Sequence, residues 1–234
     1  MQDAKEKPAD GSHCCEAPNT GRRAAGEDPA KREQILNGAK HIFMEQGFDA
    51  ASMNDITRAA GVSKGTIYVY FDSKEDLFAA LIERERYRIT ETARHALDTS
   101  LSVHQALHDF GTIFARHISS DYTIKAMRMM ISVNQRMPAL ARNFLSSDPI
   151  NPVSVLKSYL DKHIDEGQLI VGDTTLAARQ FLELCNAGIF KHRLFGSMAV
   201  PPSDEEIERT VQAAIKVFLA AYAAPDADRK PPQG

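Results

Sequence analysis

The chain has 234 residues, of which 43% are hydrophobic and 25% are charged, and its formal net charge is −3. This is the composition of an ordinary globular protein, and the charge excludes a protein that coats nucleic acid by bulk charge. The three cysteines are too few for a disulfide framework. No apolar run reaches the roughly 18 residues of a membrane span, and no signal peptide is evident. We therefore expect a cytoplasmic protein with no membrane partner.

Polar segments at residues 1–28 and 225–234 have few bulky apolar side chains, so we expect disordered tails. Between them, helical patterns follow one another and no sustained period-two alternation occurs, which predicts an all-α protein. The predicted helices are Ala30–Gln46, a short helix from Ser52 to the residue before Gly61, Lys64–Phe71, a long helix from Ser73, Val103–Ser119, Tyr122–Arg136, Ala139–Ser147, Val153–Glu166, Thr174–Phe195 and Asp204–Tyr222.

Two short helices joined by a tight turn, at about residues 52–71, are typical of a helix-turn-helix. Gly61 supplies the positive φ of the turn, and Ser63 can cap the helix that follows. On that helix, Ile67 and Phe71 face inward. The opposite arc carries side chains that suit contact with phosphates and base edges: Gly65, Thr66, Val69 and Tyr70, with Tyr68 at the rim.

Charge in this region is balanced. Between Pro29 and Glu75 there are six cationic and six anionic side chains, so any contact with DNA must be local. The charged run Glu83–Arg86 is interpreted as a solvated helix face.

The segment Ser52–Glu75, SMNDITRAAGVSKGTIYVYFDSKE, resembles the DNA-binding signature of the TetR family of bacterial regulators. The preceding Ile35–Phe48 resembles that family's first helix, and the resemblance is continuous from about Lys31 to Leu81. It implies a three-helix DNA-binding domain over residues 29–88. A helical effector-binding and dimerisation domain would follow over residues 89–224. A protein of this family would be a transcriptional regulator, usually a repressor.

The resemblance implies roles for individual residues. Ser52 would cap the second helix against a phosphate, Gly65 would allow close approach, and Lys74 would contact a phosphate at a helix N-terminus. The residues expected to contact operator double-stranded DNA are Ser52, Ser63, Lys64, Gly65, Thr66, Tyr68, Tyr70 and Lys74.

The middle helices of the family often line an effector cavity. Methionine adapts to irregular shapes, and a Met-rich cluster lies in this part of the chain, so we expect a small, mostly apolar effector that weakens operator binding. The candidate pocket residues are Phe110, Phe114, His117, Met127 and Met130. The alternative is that these side chains are ordinary core, because apolar residues at helical spacing usually pack together.

The last two predicted helices resemble those with which one subgroup of the family forms a four-helix bundle between two subunits. The resemblance therefore implies a homodimer. The side chains expected at its interface are Phe181, Leu184, Ile189, Ile207, Val211, Ile215 and Phe218.

Other classes of function have less support. The sequence has no nucleophile elbow, phosphate loop or HExxH motif, so we predict no enzyme, metal or cofactor. Cys14 and Cys15 leave open a redox- or metal-responsive regulator. A helical adaptor that has lost DNA binding is a further alternative, which the intact segment Lys64–Phe71 argues against.

Overall fold

The structure, a computed structural model, describes residues 26–97, 101–145 and 151–225. These residues form helices joined by short loops, and their one β-bridge joins Leu169 and Ala223. The predicted all-α class is confirmed. The helices are α1 (Pro29–Ala50), α2 (Met53–Ala60), α3 (Lys64–Tyr70), α4 (Lys74–Ala96), α5 (Val103–Ser119), α6 (Asp121–Val133), α7 (Pro138–Leu145), α8 (Pro152–Asp165), α9 (Thr174–Cys185), α10 (Phe190–Leu194) and α11 (Asp204–Tyr222).

Helix starts are set by capping side chains, as the sequence predicts. Ser52, Ser63 and Ser73 accept hydrogen bonds from the backbone N–H groups three residues later. Asp173 caps α9, and Ser203 forms a full capping box at α11. These bonds satisfy backbone donors that have no partner within the helix, and they fix where each helix begins.

Two apolar cores lie along the chain, and α4 runs through both. The first half of α4 contributes Leu77 and Leu81 to an N-terminal core with α1, α2 and α3. Its second half contributes Ala93 to a second core built from α5, α8, α9 and α11. Residues of α6, including Met130 and Val133, pack into the N-terminal core. Movement of α4 or α6 would therefore change the packing of the helices around α3.

Helices α1 and α2 cross at a glycine. A Cβ atom on Gly38 would lie 2.7 Å from backbone and side-chain atoms of Ala60, closer than atoms can pack. The Nε2 of Gln34 donates to the carbonyl oxygen of Ala60 at 2.6 Å, beside this crossing. The absence of a side chain at Gly38 thus sets the distance between α1 and α2.

The single helix predicted over Thr174–Phe195 is wrong. The structure ends α9 at Cys185 and starts α10 at Phe190. Gly188, between them, has φ +75°, a left-handed conformation that breaks helical continuity and that glycine adopts at low cost. The predicted helix therefore becomes two helices joined by a turn.

Six of the seven residues predicted at the dimer interface are buried within the chain itself, which corrects the prediction for these six; for Leu184 it stays a prediction. The interior faces of α9 and α11 pack on each other and on α5, which leaves these side chains no surface for a partner subunit. Leu184 is half-buried against the same core. The fully buried members of the set are Phe181, Ile189, Ile207, Val211, Ile215 and Phe218.

The boundaries of the chain's ends differ slightly from expectation. Asp28, predicted as part of a tail, caps α1 by accepting a hydrogen bond from the N–H of Ala30 at 3.0 Å. Residues 1–25 and 226–234, the rest of the predicted tails, lie outside the described residues. Within the described residues, no helix combines the length and apolarity needed to cross a membrane.

Candidate DNA-binding surface and effector cavity

Helices α2 and α3 form the predicted helix-turn-helix. Gly61 between them has φ +63° and ψ +37°, the left-handed geometry that this turn requires. Ile67 of α3 is fully buried, and Val62 packs partly against the same N-terminal core. These apolar contacts hold α3 by one face, which leaves the opposite face for a partner.

The outward face of α3 is formed by Lys64, Gly65, Tyr68 and Val69, which are all exposed. Three of the eight residues predicted to contact DNA, Lys64, Gly65 and Tyr68, thus lie together on this face. A Cβ atom on Gly65 would meet only the Ser63 hydroxyl oxygen, at 3.8 Å, so this position is open to a closely approaching ligand.

Four of the residues predicted to contact DNA make contacts within the chain itself. The hydroxyls of Ser63 and Thr66 are hydrogen-bonded to each other at 2.7 Å. Ser52 donates to a carboxylate oxygen of Asp55 at 2.5 Å. Tyr70, expected on the outer arc, is half-buried against the N-terminal core, because it lies three residues after the buried Ile67 and so on the same side of the helix. Contact of these residues with DNA stays a prediction.

Lys74 has a structural role that we did not predict. Its ammonium donates to the carbonyl oxygens of Phe48 at 2.7 Å and Ala51 at 2.9 Å, and lies 4.5 Å from the centre of the Phe48 ring. It thus ties the start of α4 to the carbonyl groups at the end of α1. Contact between Lys74 and a phosphate stays a prediction, but the structure gives this side chain another function.

A cavity of about 300 Å³ lies between α4, α5, α6, α8 and α9. This volume is at the lower end of the range for small-molecule sites. Four of the five predicted pocket residues line it: Phe114, His117, Met127 and Met130. Phe110 does not line it, which corrects our prediction, because its side chain points into the second core and is fully buried there.

Other apolar side chains complete the cavity, and two of them, Ile82 and Ile89, come from α4. Sequence reasoning missed these side chains, because helical spacing does not show which helices surround a cavity. The apolar residues that extend the lining are Ile82, Ile89, Ile118, Ala126, Phe144, Pro152, Val153 and Leu182.

The carboxylate of Glu85 in α4 lines this cavity and joins it to α1. It accepts a hydrogen bond from Lys40 of α1 at 2.8 Å and one from Arg84 at 2.6 Å. Arg84 also donates to Glu33 and Asn37 of α1, both at 2.9 Å. Burial acts to raise the pKa of Glu85, but the hydrogen bonds and charges of Lys40 and Arg84 lower it on balance. Glu85 is therefore an anion held between two cations.

This network corrects the interpretation of Glu83–Arg86 as a solvated face. The side chains of Arg84 and Glu85 are only 9% and 13% exposed. One signal in the sequence could have indicated a buried charged partner. Lys40 lies in α1 close to the apolar positions Ala39 and Ile42, which are buried.

Two further polar groups lie beside Glu85. The ammonium of Lys40 lies 4.2 Å from the centre of the Tyr122 ring, and the Tyr122 hydroxyl is buried with no hydrogen-bond partner in the described chain. Burial and the Glu85 charge raise the pKa of Tyr122, and burial lowers the pKa of His117. Both side chains are therefore neutral at neutral pH, and neither offers a charge to a ligand in the cavity.

The cysteines give no support to redox or metal sensing. Cys14 and Cys15 lie outside the described residues, and within those residues no group of His, Cys, Asp and Glu is arranged to hold a metal ion. Burial raises the pKa of Cys185 to about 12, so its thiol is protonated and unreactive at neutral pH.

Comparison with known protein families agrees with this architecture. Residues 35–81 match the model of "Bacterial regulatory proteins, tetR family", and residues 105–224 match that of the "AefR-like transcriptional repressor, C-terminal domain". The second match alone covers half of the chain. The chain belongs to the TetR family. As TetR-family regulators are not enzymes, the predicted lack of a catalytic site agrees with this assignment.

Similar proteins include other TetR-family members. The activator FasR of Mycolicibacterium smegmatis is 34% identical over 91 residues, which cover 39% of this chain and 42% of FasR. The chain thus matches less than half the length of this relative. The solved "Flavonoid-responsive Regulator FrrA" is 32% identical, with 86% of this chain and 100% of that chain covered and a TM-score of 0.67. A TetR-family regulator from Mesorhizobium loti shares the fold, at 24% identity, coverage of 83% and 98%, and a TM-score of 0.77.

Proposed function

We propose that this TetR-family protein binds operator DNA in the bacterial cytoplasm through the outward face of α3 and represses transcription. Lys64, Gly65, Tyr68 and Val69 form a continuous exposed surface on a helix whose other face is buried. A short helix presented in this way fits the major groove. The similarity of residues 105–224 to a repressor domain supports repression.

The proposed effector is a small, uncharged and mostly apolar molecule that occupies the 300 Å³ cavity and weakens operator binding. Most of the lining side chains are apolar, and the Glu85 carboxylate is already paired with Lys40 and Arg84. The charged lining residues Arg179 and Glu183 are exposed, so a charged ligand would lose hydration on entering the apolar part of the cavity. A response of FrrA to flavonoids, as its name states, supports a flat, hydroxylated aromatic class.

The observation that carries this proposal is the Glu85 carboxylate, which lines the cavity and bonds Lys40 of α1 at 2.8 Å. The ammonium of Lys40 contacts both the Glu85 carboxylate and the Tyr122 ring. A ligand that displaces either group must therefore change the contacts of Lys40. Because α1 packs on α2 and α4 around a shared core, this change would shift α3 relative to the rest of the chain. The cavity would thus be linked to the DNA-binding surface through α1 and α2 rather than by direct contact.

We also propose that the protein is a homodimer through the outward faces of α9 and α11. Leu176 of α9 is 50% exposed and Val217 of α11 is 56% exposed, and Ala213 and Ala220 extend the exposed apolar stripe of α11 at helical spacing. A partner subunit would cover this surface. Two recognition helices would then read half-sites about one DNA turn apart.

The test begins with selection of binding sites from random DNA by the purified full-length protein. We expect a roughly palindromic consensus, and the Tyr68→Ala variant should lose affinity for the consensus more than for random DNA. The matched control is Tyr87→Ala, because Tyr87 is 58% exposed on α4, away from α3. Recovery of unrelated sequences only would contradict the proposed function.

A further inference from the structure

The effector cavity reaches the protein surface at α9. Arg179 and Glu183 of this helix line the cavity, and both are exposed. They lie three and seven residues after Leu176, a spacing that places all three side chains on one face of a helix. Leu176 is 50% exposed and belongs to the proposed dimer surface. The rim of the cavity is therefore continuous with the surface that we expect a second subunit to cover.

The two charges at this rim are not paired among the described residues. Arg179 and Glu183 are four residues apart on one helix, yet neither side chain forms an ion pair or a hydrogen bond in the described chain. In α8, by contrast, Lys157 and Asp161 have the same spacing and are paired at 2.6 Å. One positive and one negative side chain at the rim are thus available to another subunit.

A two-fold symmetric interface can pair both of these charges. In a symmetric dimer, a contact between one position of the first subunit and another position of the second occurs twice. Two antiparallel copies of α9 that cross midway between Arg179 and Glu183 place the arginine of each subunit opposite the glutamate of the other. Four residues span about 6 Å of a helix, which leaves room for the two pairs side by side. The same crossing lays the second α9 over the rim of the cavity.

We propose that the α9 helix of the partner subunit closes the mouth of the effector cavity, held there by reciprocal ion pairs between Arg179 of one subunit and Glu183 of the other. This inference rests on the proposed dimer and on the proposed effector cavity. The binding site is then incomplete in an isolated subunit. A bound ligand leaves when the two copies of α9 separate, so retention of the effector depends on dimerisation.

The test uses charge reversal in the full-length protein. Arg179→Glu and Glu183→Arg each place like charges opposite each other, whereas the double variant Arg179→Glu/Glu183→Arg exchanges the charges and restores both pairs. Both positions are exposed, so the variants should fold as the wild type does. The matched control is Lys157→Glu, which reverses a charge at the same four-residue spacing on α8, outside the proposed interface.

Sedimentation measures the dimer Kd of each variant. We expect each single reversal at the rim to raise this Kd at least about tenfold, because like charges that face each other across an interface are strongly unfavourable. The double variant should return the Kd to near the wild-type value, and the α8 control should match the wild type. Single variants with the wild-type Kd, or a double variant that dimerises as weakly as they do, would overturn the proposal.

Release of a probe separates closure by a partner from a direct effect of the altered side chains. The probe is 3-hydroxyflavone, an uncharged fluorescent compound, and its release is followed by stopped flow. Because closure over a ligand limits its release, the single variants should release the probe at least about tenfold faster below their raised dimer Kd. Release should slow as protein concentration rises and the dimer forms again.

Fast release at every protein concentration would contradict closure by the partner subunit. A wild-type protein that forms no dimer would overturn the proposed assembly. A wild-type dimer that does not retain the probe would overturn the proposed effector cavity, while the charge exchange would still decide whether the ion pairs form.

Discussion

At the residue scale, two glycines in the DNA-binding region have opposite surroundings. Gly38 is enclosed, because a Cβ atom there would lie 2.7 Å from Ala60. Gly65 is open, with its nearest neighbour, the Ser63 hydroxyl, 3.8 Å away. The first glycine is therefore explained by packing within the chain. The second is not, and a closely approaching DNA backbone would explain it.

We predict that Gly65→Ala leaves the fold intact but weakens operator binding at least about tenfold. Alanine is favoured over glycine in a helix by up to about 1 kcal/mol, and no atom of the chain opposes the added methyl group. Thermal unfolding should therefore be unchanged or raised. The matched variant Gly38→Ala should lower stability by about 1–3 kcal/mol through overpacking. Unchanged DNA affinity in a folded Gly65→Ala variant would contradict the close approach.

A second prediction decides between the two roles of Lys74. Lys74→Met keeps the apolar stem but removes the bonds to the carbonyls of Phe48 and Ala51, so we expect about 1–3 kcal/mol of destabilisation. Denaturant unfolding measures this loss directly. If stability is instead unchanged and the affinity for DNA depends less steeply on salt concentration, Lys74 serves mainly as a phosphate contact.

The residues that could be predicted from sequence are those whose role depends on neighbours in the chain. Caps such as Ser52 and Ser63 and the turn glycine Gly61 act over three or four residues, so their pattern is sufficient. Glu85 and Lys40 are 45 residues apart, and nothing local distinguishes a paired carboxylate from a solvated one. Their contact could be recognised only from the fold.

At the element scale, helix faces were harder to assign than helices. The apolar spacing in α9 and α11 correctly indicates a buried face. The spacing does not show whether that face packs against the same chain or against a partner subunit. The structure assigns Val211 and Phe218 to the chain's own core and leaves Val217 exposed. The break at Gly188 was missed for a related reason, because glycine within a helical pattern can be tolerated.

These faces give a prediction about assembly. Val217→Glu should yield a folded protein that is monomeric at micromolar concentration, since a charge would be placed in the proposed interface without touching the core. Val211→Glu, with the same chemical change at a fully buried position, should fail to fold, because a buried unpaired charge is strongly unfavourable. Sedimentation and circular dichroism measure both outcomes. A Val217→Glu variant that stays dimeric would place the interface elsewhere.

The contact between α1 and α4 gives a prediction about signalling. Lys40→Met should still bind effector and operator, but the factor by which effector weakens operator binding should fall from the typical range of about 5–150-fold toward unity. Glu85 would keep Arg84 as a partner, so the fold should persist.

The matched control for this experiment is Lys31→Met, also on α1. Among the described residues, Lys31 donates to Gln34 of the same helix, so its loss should leave the factor unchanged. Coupling that is equal in both variants would show that Lys40 does not carry the signal.

At the scale of the whole molecule, residues of both cores line a cavity that DNA binding alone does not need. The cavity is lined by α4, which also packs in the N-terminal core, and by α6, whose Met130 contacts both regions. A ligand that changes the position of either helix must therefore act on the core that supports α3. We expect the two binding events to be thermodynamically linked for this reason.

The most direct test of this linkage is a titration of one ligand with and without operator DNA. A thermal-shift screen of uncharged hydroxylated aromatic compounds would supply the ligand, and calorimetry would measure its Kd in both states. Linkage is reciprocal, so saturating operator should weaken ligand binding by the same factor by which ligand weakens operator binding, in the range of about 5–150-fold. A ligand that binds in the cavity with identical affinity in the presence and absence of operator would contradict the account.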